Sequence, residues 1–464
     1  MAKVSTSIPA ETTPTGGPVM RVLDLRGRDL DAAALAALLP RPSGEYLARA
    51  EESVAQILER VRTEGAPALR DLSARFDGVE QSALRVPPEA LERALAELDP
   101  DVREALETAI GRIRAFAAAQ KPATTELEVA PGARLVNRWT PVRRVGLYVP
   151  GGLAVYPSSV VMNAVPAQAA GVESVVLCTP PQREFGGLPH PTTLAAAALL
   201  GIDEVWAIGG AQALAAMAHG LRPDELEPRP LEPVDVITGP GNVYVAMAKR
   251  QLRAVVGVDG EAGTTEIAVI ADAAADPAYV AADLISQAEH DPHAGSVLIT
   301  DSAQLAEAVA GEVRVRAAGT RHAERVAQAL TGRQSGVVLT DSLEHSIAVA
   351  NAWAPEHLEI QTEQPRAVAA RIRNAGAVFL GPHSPVPLGD YTAGSNHVLP
   401  TGGSARWASG LNTATFMKVV QLIEYSEQAL SAVAPAVRAL AEAEDLPAHG
   451  EAVAVRGERT AGGE

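Results

Sequence analysis

The segment VGLYVPGG, residues 145–152, is a β-rich run that ends in a proline and two glycines. A β-rich run that ends in glycines recurs at AIGGAQ (207–212) and TGPGN (238–242), and in both places the residues that follow are predicted to form a helix. Glycines at such junctions let the backbone approach an anion closely, and a helix N-terminus offers free N–H groups. Three such junctions favour the nucleotide-binding edge of a parallel sheet, although tight turns in any α/β sheet also use glycines.

Short β-rich runs alternate with helical segments on both sides of these junctions. The predicted strands are Val145–Val149, Ser174–Cys178, Glu204–Ile208, Val234–Ile237, Ile267–Ile270, Ser296–Thr300, Gly336–Thr340 and Ala377–Leu380. Such alternation is typical of parallel sheets with helices on their faces. We therefore predict an α/β protein with two Rossmann-like units, a helical N-terminal region and a C-terminal helical arm.

The remaining segments are predicted from their periodicity. Residues 31–121 have apolar residues at helical spacing, and Leu127–Val142 alternates like two strands around a turn at residues 131–132. Helices are predicted over Leu343–Trp353 and Pro365–Asn374, with no strand between them. The segment Thr415–Glu444 is also predicted to be helical.

The composition excludes several classes of function. The 464 residues include 39 Lys and Arg against 56 Asp and Glu, a formal net charge of −17, and 47% are hydrophobic. A protein that binds nucleic acids or anionic membranes needs basic patches on its surface, so we expect neither as a partner. The longest uncharged stretch, residues 145–172, is interrupted by prolines, and residues 1–18 have no apolar core. We therefore predict no membrane span and no export signal, and expect a cytoplasmic protein.

The chain has one cysteine, Cys178, which excludes an internal disulfide and any multi-cysteine metal site. Because Cys178 ends an apolar strand, we interpret it as a core residue and not as a nucleophile. A metal site would therefore need His, Asp, Glu or Gln.

Two short motifs combine residues that could bind a metal or accept protons. Gln287 and His290 are three residues apart on a predicted helix, so they share a face and could bind one cation. The alternative is a surface Gln beside a capping His. Glu356 and His357 follow Pro355 and offer a carboxylate and an imidazole as proton acceptors, unless they form an exposed charged turn.

Two further segments are rich in functional side chains. LGDYTAGSNHVLP, residues 388–400, has little periodicity, and long irregular segments inside compact domains tend to be functional. AEDLPAH, residues 443–449, lies where the last predicted helix ends at a proline, and its alternative interpretation is a fraying terminus.

Seven strings in order resemble the histidinol dehydrogenase family over about residues 40–455. They are GLYVPGG, GGAQAL, GPGN, SQAEH, PEHLEIQT, GDYTAGSNHVLPTGG and AEDLPAH. The resemblance implies an NAD-dependent, zinc-requiring enzyme that oxidises L-histidinol to L-histidine through L-histidinal, the last step of histidine biosynthesis. It also implies one Zn²⁺ per subunit and a homodimer in which the C-terminal segment reaches the partner's active site.

The resemblance also assigns roles to individual residues. The implied zinc ligands are Gln287, His290, Asp390 and His449, and the implied catalytic pair is Glu356 and His357. The implied substrate contacts are Thr265, Gln287, His290, His357, Asp390, His397, Glu444 and His449. The implied NAD contacts are Tyr148, Gln212 and Asn242. Thr265 stands where many members of the family carry Ser, which keeps the hydroxyl group.

We expect five regions along the chain. Residues 1–18 are a disordered tail and residues 19–45 an N-terminal arm. Residues 46–143 together with 266–410 form a discontinuous first α/β domain with the catalytic and zinc residues. Residues 144–265 form the second α/β domain, which binds NAD, and residues 411–464 form the C-terminal helical arm.

Three other functions stay open at this stage. A zinc hydrolase acting on a small polar substrate would use Glu356 as the base for a metal-activated water, but it would not explain the glycine-rich strand ends. A non-catalytic metal- or nucleotide-binding protein would carry the same motifs with an idle site. An aldehyde dehydrogenase would use Cys178 as its nucleophile.

Overall fold

The computed structural model describes residues 20–41, 44–151, 154–260 and 263–461. The predicted disordered tail, residues 1–18, lies outside the described residues. The strands in chain order are β1 (Val22–Asp24), β2 (Thr125–Ala130), β3 (Ala133–Pro141), β4 (Arg144–Tyr148), β5 (Ser174–Thr179), β6 (Val205–Ala207), β7 (Val236–Thr238), β8 (Gly257–Val258), β9 (Glu266–Ala271), β10 (Gly295–Thr300), β11 (Gly336–Leu339), β12 (His357–Gln361), β13 (Ala377–Leu380) and β14 (Met417–Tyr425).

The helices lie between these strands and after the last of them. They are α1 (Ala32–Leu38), α2 (Gly44–Glu64), α3 (Ala66–Phe76), α4 (Pro88–Ala96), α5 (Pro100–Ala119), α6 (Pro157–Ala170), α7 (Pro191–Leu199), α8 (Gly210–His219), α9 (Val243–Leu252), α10 (Pro277–Ala288), α11 (Ala303–Ala318), α12 (Ala323–Thr331), α13 (Leu343–Trp353), α14 (Pro365–Ala369), α15 (Val386–Tyr391), α16 (Glu427–Ala443) and α17 (Pro447–Ala461). Within the described ranges, no helix is long and apolar enough to cross a membrane.

Six parallel strands form the larger sheet, in the order β1-β11-β10-β9-β12-β13. Helices α10, α11 and α12 cover one face, and α1, α13 and α14 cover the other. Because both faces are covered, β9 to β11 consist almost entirely of apolar residues, which is why the sequence analysis could identify them. The parallel sheets confirm the predicted α/β fold class.

Strand β12 was not predicted, although it lies between β9 and β13 inside this sheet. Its sequence, HLEIQ, alternates polar and apolar residues, yet all five residues are buried. Leu358 and Ile360 pack with α13 and α14, while the polar residues lie on the opposite face, where Glu359 contacts Asp283 of α10. A strand with polar side chains buried on one face lacks the apolar run that identifies the other central strands.

The second sheet has five parallel strands in the order β6-β5-β4-β7-β8. Helices α6 and α7 cover one face, and α8 and α9 the other. The apolar sides of α2 and α3 pack with α8 and α9, and those of α4 and α5 pack with α6 and α7. The helices of residues 44–119 therefore complete the layers of this sheet, which differs from the predicted grouping of residues 46–143 with 266–410. The other domain boundaries stay predictions.

The third sheet is antiparallel and joins the C-terminal segment to the predicted hairpin. Strand β3 pairs with β2 around the turn at residues 131–132 and, along its whole length, with β14. The prediction of a helix over Thr415–Glu444 is therefore wrong for residues 417–425, where pairing with β3 determines the backbone conformation. Beyond β14, helices α16 and α17 pack against each other and form the C-terminal helical arm.

Candidate active site

A cavity of about 290 Å³ lies between the two parallel sheets. Residues at or just after the carboxyl ends of β4 and β7 form one wall. Residues at or just before the amino ends of β9 and β12 form the opposite wall. For the five-stranded sheet, this edge lies where the strand order reverses, the usual ligand site of open α/β sheets. The predicted site residues that line the cavity are Tyr148, Asn242, Thr265, His290, Glu356, His357, Asp390 and His397.

A tight turn carries Glu356 and His357 into this cavity. Helix α13 ends at Ala354, whose backbone is in the left-handed region with φ of 52°, and Pro355 leads directly into β12. Glu356 is 6% exposed and His357 is 4% exposed. The alternative of an exposed charged turn is therefore wrong.

The Glu356 carboxylate is held from two sides at the start of the strands. Its Oε2 accepts hydrogen bonds from the Thr265 hydroxyl at 2.5 Å and from the backbone N–H of Glu266 at 2.9 Å. Burial raises the pKa of Glu356 to about 8, although both hydrogen bonds favour the carboxylate. A carboxyl group with a pKa near neutrality can act as a general base.

The imidazole of His357 is oriented by the same stretch of backbone. Its Nδ1 lies 3.2 Å from the carbonyl oxygen of Glu266. Because a carbonyl oxygen can only accept, Nδ1 carries the hydrogen, and Nε2 keeps its lone pair. Burial lowers the pKa of His357, which favours the neutral ring. The geometry therefore presents a neutral imidazole as a proton acceptor.

His290, just after α10, comes close to Asp390 of α15, and Gln287 lies in the last turn of α10. His290 Nε2 and Asp390 Oδ2 are 3.9 Å apart. Two ligands of one tetrahedral Zn²⁺, each about 2.0–2.2 Å from the ion, lie about 3.3–3.6 Å apart, so the 3.9 Å separation is slightly longer than that of two ligands of one ion. The Gln287 Oε1 atom is buried without a hydrogen-bond partner, whereas its Nε2 donates to Thr265 at 2.7 Å. An amide oxygen, an imidazole and a carboxylate are donors that suit a divalent cation.

Two of the predicted site residues, Glu444 and His449, lie in the C-terminal arm and away from this cavity. Glu444 ends α16 and His449 lies in α17, and neither lines the cavity. In the described part of the chain, no three His, Cys, Asp or Glu side chains come together as a metal site. Gln287, His290 and Asp390 of one chain therefore form an incomplete ligand set relative to the four expected.

His397 is fixed by two hydrogen bonds at the same cavity. Its Nδ1 lies 3.0 Å from the carbonyl oxygen of Asp390, and its Nε2 lies 3.1 Å from the Ser159 hydroxyl. Since the carbonyl accepts the Nδ1 hydrogen, Nε2 accepts from Ser159. Burial lowers the pKa of His397 and favours its neutral form.

Two of the three glycine-rich junctions, those at Gly151 and Gly241, line the cavity wall at the carboxyl ends of β4 and β7. The Tyr148 hydroxyl accepts a hydrogen bond from the backbone N–H of Gly210, at the start of α8. Asn242 caps α9 by accepting from two backbone N–H groups and also lines the cavity. At Gly239, with φ of 121°, a Cβ would lie 1.9 Å from the carbonyl oxygen of Tyr148. Of the three expected NAD contacts, Gln212 is buried in α8 and does not line this cavity.

Sequence analysis missed three residues that hold the site in place. Ser159 contacts His397. Glu266 is buried next to Glu356 and His357 and forms an ion pair with Arg41 at 3.1 Å, and Lys249 is buried behind the loop at Gly239. A single charged residue inside an apolar run, as in EIAVIA and VYVAMAK, is the signal that could have identified Glu266 and Lys249.

Cys178 lies in β5 inside the core of the five-stranded sheet and is fully buried. Burial raises the pKa of its thiol, which disfavours the thiolate. It does not line the cavity. These properties agree with a core residue and do not support the thiol-based aldehyde dehydrogenase.

Comparison with known proteins gives a consistent result over nearly the whole chain. A family model described as histidinol dehydrogenase matches residues 41–457. The chain is 58% identical to a histidinol dehydrogenase of Nocardia farcinica over 94% of this chain and 97% of the relative. It is 56% identical to one of Mycobacterium tuberculosis, over 95% and 99% of the two chains. A crystal structure of histidinol dehydrogenase from Elizabethkingia anophelis superposes with a TM-score of 0.86 at 33% identity, covering 95% of this chain and 98% of the other.

Proposed function

Because the chain belongs to the histidinol dehydrogenase family, we propose that it oxidises L-histidinol to L-histidine through L-histidinal, using NAD⁺ and a zinc ion. One observation carries the proposal. The neutral imidazole of His357 and the Glu356 carboxyl group lie in one cavity, between the glycine-rich strand ends and the cluster of Gln287, His290 and Asp390. The cavity thus combines two proton acceptors with the sheet edge proposed to bind NAD⁺ and with the proposed cation site.

The protein residues supply the proton transfers in this scheme. Two NAD⁺ molecules, bound in turn, would each accept one hydride, the first from the alcohol and the second from the hydrated aldehyde. His357 Nε2 accepts the hydroxyl proton as the C–H bond of the alcohol breaks and the aldehyde forms. Glu356 then accepts a proton from water as its oxygen bonds to the aldehyde carbon. His357 returns its proton to the aldehyde oxygen as the hydrate forms and accepts a proton again as the second hydride leaves, which gives the carboxylic acid.

Gln287, His290 and Asp390 would hold the zinc ion from one chain, with His449 as the fourth ligand. Zinc bound there would orient the imidazole and amino nitrogens of the substrate. The buried, unpartnered Oε1 of Gln287 supports this assignment, since such an atom otherwise costs stability. Thr265, His397 and Glu444 complete the proposed substrate contacts, and Tyr148, Gln212 and Asn242 the proposed NAD contacts.

We further propose a cytoplasmic homodimer in which Glu444 and His449 serve the partner's site. Both residues belong to α16 and α17, outside the cavity of their own chain. The C-terminal segment also exposes large apolar side chains, among them Ile423 at 71% and Leu440 at 64%. Exposed apolar surface of this kind is typical of protein–protein contacts.

The direct test is the stoichiometry of NADH formation. With L-histidinol as the limiting substrate and excess NAD⁺, we expect two NADH per molecule of L-histidinol and L-histidine as the product. One NADH with accumulation of L-histidinal would contradict the four-electron reaction. No NADH, together with hydrolysis of amide or ester substrates, would support the zinc hydrolase.

Removal of the metal should abolish activity reversibly. A Gln ligand is a weak donor, so prolonged chelation is expected to strip the ion, and added Zn²⁺ should restore the rate. The control is the same incubation with chelator that has already been saturated with Zn²⁺. Full activity in a preparation shown by elemental analysis to be metal-free would contradict the zinc requirement.

The pH dependence of the second oxidation should report Glu356. Because its pKa is raised to about 8, most of the carboxyl group is protonated at pH 7, and only the carboxylate can accept a proton from water. We expect the rate of L-histidinal oxidation to rise with pH, to reach half its maximum near pH 8 and to level off above about pH 9. Glu356→Gln should remove this rise from the residual rate. An unchanged profile in Glu356→Gln would show that another group causes it.

A further inference from the structure

The hydroxyl group of Thr265 lies between the proposed metal ligand Gln287 and the proposed base Glu356. Gln287 Nε2 donates to Thr265 Oγ1 at 2.7 Å, and Thr265 Oγ1 donates to Glu356 Oε2 at 2.5 Å. Thr265 immediately precedes β9, Gln287 lies in the last turn of α10 and Glu356 precedes β12. One hydroxyl therefore connects three separate elements at the floor of the cavity.

The direction of this chain of hydrogen bonds is determined by the backbone. Glu356 Oε2 also accepts from the N–H of Glu266 at 2.9 Å, and a backbone amide can only donate. An oxygen that accepts from an amide is the carbonyl-type oxygen of a neutral carboxyl group, so Oε2 carries no hydrogen whether Glu356 is ionised or protonated on Oε1. The Thr265 hydroxyl therefore donates its single hydrogen to Oε2. The hydroxyl oxygen can then only accept from Gln287, which must present its NH₂ group. The Oε1 atom of Gln287 is left buried without a partner.

From this geometry we propose that Thr265 is a positioning residue that directs the amide oxygen of Gln287 towards a bound divalent cation. The inference rests on the proposed function, because it assumes that Gln287 binds the metal. It differs from the substrate contact that the family resemblance implies, since both hydrogen bonds of the hydroxyl are made inside the protein.

An amide needs this help more than other ligands do. Its two ends have similar shape, but only the oxygen can bind a cation, and a rotation by 180° about the terminal bond exchanges them. Without a fixed acceptor for the NH₂ group, the wrong orientation becomes accessible. Residues that orient metal ligands in this way typically contribute about 10–100-fold to metal affinity.

The test measures the Zn²⁺ affinity of the full-length apoprotein by competition with a chromogenic chelator, so activity is not the readout. Thr265→Val keeps the shape and removes the hydroxyl, and we expect it to raise the Kd for Zn²⁺ by about 10–100-fold. Thr265→Ser restores the hydroxyl and should restore the wild-type Kd. Thr265→Ala serves as a second hydroxyl-free variant if Thr265→Val does not fold.

A double-mutant cycle separates this role from a merely structural one. In a Gln287→Ala background, Thr265→Val should not raise the Kd further, because there is no amide left to orient. A wild-type Kd in both Thr265→Val and Thr265→Ala would overturn the inference while leaving the proposed function intact, and an equal further loss in the Gln287→Ala background would also overturn it. A wild-type apoprotein without affinity for Zn²⁺ would overturn the zinc part of the proposed function, and the inference with it.

Discussion

His357→Asn is expected to lower kcat by about 10²–10⁴-fold for both L-histidinol and L-histidinal, whereas Glu356→Gln should mainly slow the oxidation of L-histidinal. In the proposed scheme, the neutral ring of His357 accepts the proton that leaves oxygen in each hydride transfer. Asn has no basic nitrogen, so this proton acceptor is lost from both steps. Glu356 is needed only where water must be deprotonated, which is the hydration of the aldehyde.

The two oxidations can be measured separately by starting from either substrate and following NADH. His383→Asn is a matched control, because His383 is exposed and lies outside the cavity lining. Glu356→Gln keeps an oxygen that can accept from Thr265 and from the Glu266 N–H, so it changes charge more than shape. Equal losses on both substrates in Glu356→Gln would contradict the division of labour between the two residues.

The sequence predicts the parallel core well because burial leaves a direct mark on composition. Strands β9, β10 and β11 are covered on both faces and consist almost entirely of apolar residues. Strand β12 is equally buried but carries polar residues at alternate positions, and β14 depends on pairing with β3. Neither the burial of the polar face of β12 nor the pairing partner of β14 is visible in a local window of sequence. The missed strand begins with His357, so prediction from local periodicity fails at the candidate active site.

The candidate site residues could be assigned from the family resemblance, but their geometry could not be predicted. Gln287 and Thr265 are 22 positions apart, and Thr265 and Glu356 are 91 positions apart. The parallel pairing of β9 with β12 brings Thr265 and Glu356 together. Gln287 reaches Thr265 because the last turn of α10 lies beside the start of β9. The orientation of each imidazole likewise depends on a backbone carbonyl, which no residue type encodes.

The largest effect on stability is expected at Lys249, which lies behind the cavity wall formed by the loop from Gly239 to Asn242. Its side chain is fully buried, and its Nζ donates to Asp259 Oδ1 at 2.5 Å and to the carbonyl oxygen of Gly239. Asp259 Oδ2 accepts from the N–H of Gly239 at 2.9 Å. The pair thus binds both backbone groups of the glycine that must pack against Tyr148.

Lys249→Met is expected to lower the free energy of unfolding by about 3–5 kcal/mol, because it leaves the Asp259 carboxylate buried without its counter-ion. The carbonyl oxygen of Gly239 also loses its donor, so the loop that leads to Asn242 should loosen and the KM for NAD⁺ should rise. Adding Asp259→Asn should recover part of the stability, since it removes the unpaired charge but keeps an acceptor for the Gly239 N–H. Chemical unfolding followed by circular dichroism measures the first effect, and NADH formation measures the second. Lys121→Met, at an exposed lysine, should change neither, and a Lys249→Met protein as stable as the wild type would show that the buried pair does not hold the loop.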